Sequence, residues 1–426
     1  MNVELITTGS ELLLGRILNT HVYWLGRRLA DLGLPLCRQV TVPDSSEAIG
    51  TAVQQALSRA DLVITTGGLG PTSDDLTRER IAEILGRKLI YHPEAEASIR
   101  AFFESRKRPV PERTKVEAFA PEGATLFLNR QGTAPGLGLK ISPNPARGEG
   151  LSSLLVLLPG PPRELHPMFD DQVRPWLFQN LPRTESFVCR TYKTTGLGES
   201  FMEVRLEPGL APLVARGLEL GYCARVGEVD VRFCARGADG EQLVHEASQV
   251  LMELAGEFVF GTGDDSLESC LVRRMTERGL TLALAESCTG GHLANRITHI
   301  PGASAVLLAG FVPYSNAAKT NVLGVPSEML AEHGAVSEPV ARALAEGARR
   351  VARSDYAIGI TGIAGPGGGS EDKPVGTVFT AVAGPSGTTV TRHMNRFDRE
   401  TFKFATAQQA FDQLRRRLDQ GASSTR

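Results

Sequence analysis

Short apolar runs closed by glycine-rich turns, each followed by an amphipathic stretch, recur along the chain. Val3 to Thr8 reads as a buried strand and Gly9-Ser10-Glu11 as its turn. A helical pattern runs from about Asn19 to Leu32, with Gly33 as its stop. Pro35 to Val42 reads as a strand, and Ser46 to Ala60 as a helix capped by Ser45 or Ser46. A second buried strand, Asp61 to Thr66, runs into Gly67-Gly68-Leu69-Gly70-Pro71-Thr72, after which Asp74 and Asp75 lead into a helix from Leu76 to Leu85. Leu154 to Leu158 is a further strand, ending in Pro159-Gly160-Pro161-Pro162-Arg163-Glu164. The polar segment Ser142 to Gly150 predicts an exposed hairpin tip. Alternating β and α with short βα turns predicts a parallel, doubly wound α/β sheet, which binds ligands beyond the carboxyl ends of its strands.

The pattern weakens and then resets. Between about 175 and 258, Phe187 to Thr194 and Val229 to Ala235 read as strands. Gly240 to Ala255 reads as a helix by its apolar spacing at Leu243, Ala247, Val250, Leu251 and Leu254. This small α+β unit shows no cluster of reactive groups and reads as a spacer or dimerisation domain. From about Asp265 strands and helices alternate again, with turns at Glu286-Ser287-Cys288-Thr289-Gly290-Gly291 and Gly362 to Gly369. The expected architecture is therefore α/β: two doubly wound α/β domains, 1–170 and 261–420, joined by a small α+β middle domain, 171–260. The tail 421–426 is expected to be disordered.

At 426 residues the chain has room for two or three domains, and 45 glycines sit largely at these turns. Lys+Arg 46 against Asp+Glu 48 leaves a net charge of −2, so no global basic excess exists to grip nucleic acid. Arg349-Arg350 and Arg415-Arg416-Arg417 read as solvated helix faces. Six cysteines without a CxxC pair argue against a disulfide scaffold or structural zinc. No signal peptide and no long apolar run is present, so a cytoplasmic location without membrane contact is expected.

Two turns carry candidate chemistry. Thr66 to Thr72 would set backbone N–H groups at a helix N-terminus, an arrangement that binds phosphate, with Gly67, Gly68, Gly70 and Thr72 as its contacts. Asp74 and Asp75 would repel phosphate unless a divalent cation bridges them. Glu164 is a second candidate acid, Gly160 belongs to a second turn, and Asn129 could contact a polar ligand. The same residues also fit tight turns with helix-capping aspartates.

Ile6-Thr-Thr-Gly-Ser-Glu-Leu12, Thr65-Thr-Gly-Gly-Leu-Gly-Pro-Thr-Ser-Asp-Asp75, Asn129-Arg-Gln-Gly-Thr-Ala-Pro-Gly136 and Leu158-Pro-Gly-Pro-Pro-Arg-Glu164 together resemble the molybdopterin-binding-like domain of the CinA family. That resemblance implies a metal-dependent ADP-ribose pyrophosphatase, with Asp74, Asp75 and Glu164 as metal ligands.

In the second turn Ser287 stands at a strand end, where its hydroxyl could act as a nucleophile and the following N–H groups could form an oxyanion hole. It could equally be an N-cap. Cys288 is the better nucleophile intrinsically but needs a lowered pKa. No Ser/His/Asp pattern presents itself, and Lys319 could serve as base in a dry pocket. Tyr314 and Lys319 on one helix would be about 140° apart. Tyr314 is therefore expected in the loop, with Ser315 or Asn316 capping a helix that carries Lys319 in its first turns.

Ala285-Glu-Ser-Cys-Thr-Gly-Gly291, Pro301-Gly-Ala-Ser304, Tyr314-Ser-Asn-Ala-Ala-Lys319, Gly334-Ala-Val-Ser337 and Gly359-Ile-Thr-Gly-Ile-Ala-Gly-Pro-Gly-Gly368 resemble the nicotinamide mononucleotide deamidase family, PncC. The resemblance implies hydrolysis of the carboxamide to carboxylate and ammonia, without a cofactor. Ser287 would be the nucleophile, Tyr314 and Lys319 would move its proton, and Thr289, Gly290 and Gly291 would support the oxyanion. Thr361, Gly362 and Gly365 would hold phosphate or ring. The family's Phe-Xaa-Gly-Asp-Arg is replaced here by Asn395-Arg-Phe-Asp-Arg399, which keeps Arg399 as a phosphate partner or leaves it a solvated arginine beside Glu400.

Over its whole length the chain resembles full-length CinA, which implies nicotinamide mononucleotide and ADP-ribose as ligands and a homodimer. Two rival readings remain. The N-terminal half could only bind a pterin or nucleotide, or the chain could be a non-catalytic competence or DNA-repair accessory protein.

Overall fold

The apolar runs near the N-terminus are continuous because their strands are buried on both faces. In the computed structural model, which describes residues 1–148, 150–181 and 186–423, the chain divides into units Met1–Val188 and Cys189–Arg426.

In the first unit the strands are β1 (Val3–Thr8), β2 (Leu36–Val42), β3 (Leu62–Thr66), β4 (Leu89–Tyr91), β5 (Phe119–Pro121), β6 (Thr125–Phe127), β7 (Gly136–Ile141) and β8 (Ser153–Leu158). The main sheet has the order β2-β1-β3-β8-β7-β6, while β4 and β5 form a separate antiparallel pair. From β2 to β8 the sheet is parallel; β7 and β6 run antiparallel, so the expected parallel sheet carries an antiparallel edge. Successive residues feed opposite cores. Leu5, Ile64 and Val156 meet Leu25, Leu29 and Phe169 on one face. Ile6, Val63 and Leu155 meet Ile49, Val53 and Ile81 on the other. That two-sided burial is what parallel strands require. Ser45 caps the helix Ser46–Leu57. The helix expected at Leu76 begins at Thr77, because Thr72 and Asp75 first close a turn of their own.

β9 (Phe187–Thr195), which lies in the second unit from Cys189 onward, forms a sheet with β10 (Glu219–Arg225), β11 (Glu228–Arg236) and β12 (Val259–Thr262) in the order β10-β11-β9-β12. Helices Glu199–Ala215 and Gly240–Ala255 accompany it. The remaining strands are β13 (Leu282–Glu286), β14 (Leu307–Phe311), β15 (Tyr356–Gly362), β16 (Thr377–Gly384) and β17 (Gly387–Met394). They form a sheet ordered β14-β13-β15-β16-β17, with β14, β13 and β15 parallel and the other two antiparallel.

The closing helix spans Arg399–Ser423, so part of the expected disordered tail is helical; 424–426 lie outside the described residues. Glu149 of the Ser142–Gly150 tip is likewise outside them. Arg415, read as solvated, is buried: it donates to the Glu257 carbonyl at 2.9 Å and pairs with Asp412 at 2.7 Å. Among the described residues no helix is long and apolar enough to cross a membrane.

Candidate functional site

In the second unit, β13 delivers Glu286 and then Ser287 to the C-terminal end of the sheet. The Ser287 N–H donates to the Ile360 carbonyl on β15 at 3.1 Å, which ties the turn to the neighbouring strand. Glu286 is buried, and its carboxylate accepts the N–H groups of Gly291 (3.1 Å), Leu293 (3.0 Å) and Ala294 (2.9 Å). Glu286 thus satisfies the first turn of helix His292–Thr298, a task otherwise done by an N-cap side chain. Ser287 is not that cap, and its hydroxyl is left for other work.

Two of the N–H groups expected to support an oxyanion are engaged within the protein. The Gly290 N–H donates to the Ser287 carbonyl at 3.2 Å, and the Gly291 N–H is held by Glu286. The N–H groups of Cys288 and Thr289 lie instead beside the Cys288 thiol, which burial pushes up to about 12. At that value Cys288 is an inert thiol at neutral pH. The Thr289 hydroxyl is buried without a hydrogen-bond partner.

Ser315 caps helix Asn316–Leu323 by accepting from the Ala318 N–H, and Tyr314 stands in the loop before it. Lys319 is only 2% exposed, and its ammonium donates to the Tyr314 carbonyl at 3.0 Å. Burial holds its pKa below the ordinary lysine value, with Cys288 pulling the other way. Arg399 is exposed, yet its guanidinium is held in place, donating to the Gly365 carbonyl at 2.9 Å and to the Tyr314 hydroxyl at 3.2 Å. Cys288 is the electrostatic neighbour of both Arg399 and Lys319, which joins the Ser287 turn to the Tyr314–Lys319–Arg399 group. Of the other expected contacts, the Thr361 hydroxyl is engaged by the Ala335 carbonyl at 2.7 Å. Gly362 faces Val378, which a Cβ would meet at 2.8 Å.

The first unit arranges its turn differently. The Gly67 N–H donates to the Leu158 carbonyl at 2.9 Å, and six residues separate Gly70 from Thr77 at the helix start. The expected nest at a helix N-terminus is therefore not formed. The Asp75 carboxylate accepts from the Thr72 N–H (3.0 Å) and hydroxyl (2.5 Å), and Asp74 is exposed. Asn129 is fully engaged: its amide donates to Ala134 and Glu164, and its oxygen accepts the Gln131 and Gly132 N–H groups. The Gly160 carbonyl meets His21 at 2.6 Å.

Sequence reasoning missed Glu117. It is 1% exposed, accepts from the Thr133 hydroxyl at 3.0 Å, and has one carboxylate oxygen without a partner. Burial raises its pKa to about 7; Arg78 opposes, while Asp75 and Glu164 add to the rise. Thr133 and Glu164 line a cavity of about 400 Å³ together with Thr72, Phe102, Phe103, Arg113 and Arg163. The basic, proline-containing segment after Phe102 supplies much of that wall. Among the described residues no three His, Cys, Asp or Glu side chains are grouped to hold a metal. Asp74, Asp75 and Glu164 therefore do not fit a preformed cation site. Asp75 and Glu164 are occupied by Thr72 and Asn129, and Asp74 points to solvent.

Three family profiles match in succession: "Probable molybdopterin binding domain" over 4–179, "Damage-inducible protein CinA KH domain" over 189–261 and "CinA C-terminal domain" over 264–418. A CinA-like protein of Akkermansia muciniphila is 42% identical, covering 96% of each chain. A CinA-like protein of Anaeromyxobacter dehalogenans is 41% identical over 97% of this chain and 99% of its own. Among solved structures, competence/damage inducible protein CihA from Agrobacterium tumefaciens is 41% identical over 36% of this chain and 97% of its own, with a TM-score of 0.34.

Proposed function

The chain belongs to the CinA family, and on that premise we propose that its C-terminal part hydrolyses the carboxamide of nicotinamide mononucleotide to nicotinic acid mononucleotide and ammonia. The observation that carries this reading is Lys319, a buried amine whose pKa burial holds below the ordinary lysine value, beside the turn that presents Ser287. The neutral amine accepts the Ser287 proton as the oxygen attacks the carboxamide carbon. It then returns that proton to the departing nitrogen, leaving an ester on Ser287. A water, deprotonated by the same amine, cleaves the ester and regenerates the hydroxyl. The N–H groups of Cys288 and Thr289 are the donors available for the oxyanion, in place of those of Gly290 and Gly291. Arg399, oriented by Gly365 and Tyr314, is the cation for the nucleotide phosphate.

Ser287→Ala is expected to lower ammonia release by about a thousand-fold or more. Full activity in that variant, with loss in Cys288→Ala instead, would overturn the assignment.

For the N-terminal part we propose ADP-ribose as the ligand, cleaved at its diphosphate. The support is the cavity, where Phe102 and Phe103 offer an aromatic wall and Arg113 and Arg163 offer cations. No step is assigned to the divalent ion. Replacing both cations, Arg113→Ala with Arg163→Ala, is expected to lower kcat/KM for AMP release about a hundred-fold, measured with added divalent cation, and to spare deamidation. Binding of ADP-ribose without any product would favour a pterin- or nucleotide-binding module instead.

A further inference from the structure

Cys189 on β9 and Cys234 on β11 occupy neighbouring strands, and their sulfur atoms lie 2.9 Å apart. A covalent S–S bond is about 2.05 Å, so an approach of less than about 1 Å separates the two thiols from a disulfide. Side-chain contacts to one side of the pair hold the two strands together. The Lys193 ammonium meets both carboxylate oxygens of Asp230 at 2.9 Å, and the Thr194 hydroxyl donates to the Val229 carbonyl at 2.7 Å. Cys234 is buried, whereas Cys189 is half-buried and within reach of a small oxidant.

We propose that Cys189 and Cys234 are a modification site: a thiol pair that forms a reversible disulfide with a low-molecular-weight disulfide as oxidant. The Cys189 thiolate attacks one sulfur of the oxidant and displaces one thiolate. The Cys234 thiolate then attacks the Cys189 sulfur of the mixed disulfide and displaces the second. One S–S bond forms and one breaks. Two protein thiols are oxidised, and the two protons they lose end on the two small thiols released. The bond would close a loop with a sequence separation of 45 that contains helix Glu199–Ala215 and β10. Constraining that loop limits the unfolded chain, which is how such a bond stabilises. The site is independent of Ser287 and of the N-terminal cavity.

The test uses the full-length chain carrying Cys37→Ser and Cys223→Ser, which removes the two exposed thiols. The native protein is incubated with oxidised glutathione, alkylated in denaturant and digested without reductant for mass spectrometry. The expected result is a single 189–234 cross-linked peptide, two of the four remaining thiols alkylated, and reversal by dithiothreitol. Tm is expected to rise by about 5 °C or more on oxidation. Alkylation of all four thiols, or a persistent glutathione adduct on Cys189 with no ring closure, would overturn the proposal. In the same background Cys234→Ser is expected to trap the adduct on Cys189; no adduct there would overturn entry through Cys189.

Discussion

Two glycine-rich turns, each at the end of a buried parallel strand, serve opposite ends. After β3 the glycines are packed: a Cβ on Gly67 would lie 2.5 Å from the Thr8 hydroxyl, and one on Gly68 would lie 2.1 Å from the Thr77 hydroxyl. After β13 the turn is open: a Cβ on Gly290 meets nothing within 4 Å, and one on Gly291 only Val312 at 3.8 Å. All four residues have positive φ, so backbone conformation alone does not tell the turns apart. What differs is the load each carries. In the first, glycine lets two segments touch, and the acidic side chains fold back on their own loop. In the second, Glu286 takes over helix capping, and the space above the turn stays free beside a buried amine. A glycine-rich turn is thus a ligand site only where capping and packing are assigned to other groups.

The sharpest way to break this comparison is at the open turn. Lys319→Met keeps the volume of a residue that is 2% exposed and removes its amine. We expect ammonia release to fall about a thousand-fold. Stability should move the other way. With the folded pKa of Lys319 lowered, the unfolded state binds more protons between that value and about 10.4, so this residue's contribution to stability rises with pH across that window. Its cost is largest below the window, and Lys319→Met should unfold at a higher urea midpoint than the parent at pH 7, with the gap closing as pH rises. In the parent, kcat/KM should rise with pH below the range in which an ordinary lysine titrates. A variant that loses activity and stability together would make Lys319 a structural residue. At the crowded turn, Gly68→Ala should cost about 2–4 kcal/mol in urea unfolding, combining left-handed strain with overpacking against Thr77, and should leave deamidation intact.

Much of this was legible in the sequence, for identifiable reasons. Strands buried on both faces read as unbroken apolar runs, and Ser287 stands where one of them ends, whereas Tyr314 and Lys319 follow the half-exposed edge strand β14. Helix Glu199–Ala215 was hidden by Pro208 and Pro212 inside it, although Met202, Leu206, Leu210 and Leu213 keep helical spacing and are buried. Strand β17 was missed because as a sheet edge it alternates between half-buried and exposed and reads as polar. The matches to a KH domain likewise rest on a segment whose elements were only half visible. Glu117 gave no local signal: its neighbours Asp75, Thr133 and Glu164 are brought to it by three separate connections. The Cys189–Cys234 contact is strand adjacency, which cysteine spacing cannot report. Nor does the sequence reveal that Glu286 reaches forward to the Gly291 N–H, which engages one of the donors expected for the oxyanion.

The smallest expected effect tests the openness itself. Gly290 is exposed with φ +61°, so alanine there meets no neighbour and should cost only the left-handed strain, about 1 kcal/mol or slightly more. Its methyl group would, however, enter the free space over the Ser287 turn, where the proposed substrate must sit. The expected signature is a near-normal urea midpoint with KM for nicotinamide mononucleotide raised several-fold and kcat changed less, since uniform binding is lost before transition-state contacts are. A drop in stability as large as that of Gly68→Ala would mean the turn is packed after all. An unchanged KM would mean that substrate approaches Ser287 from another side, and the N–H groups of Cys288 and Thr289 would then no longer be placed for the oxyanion.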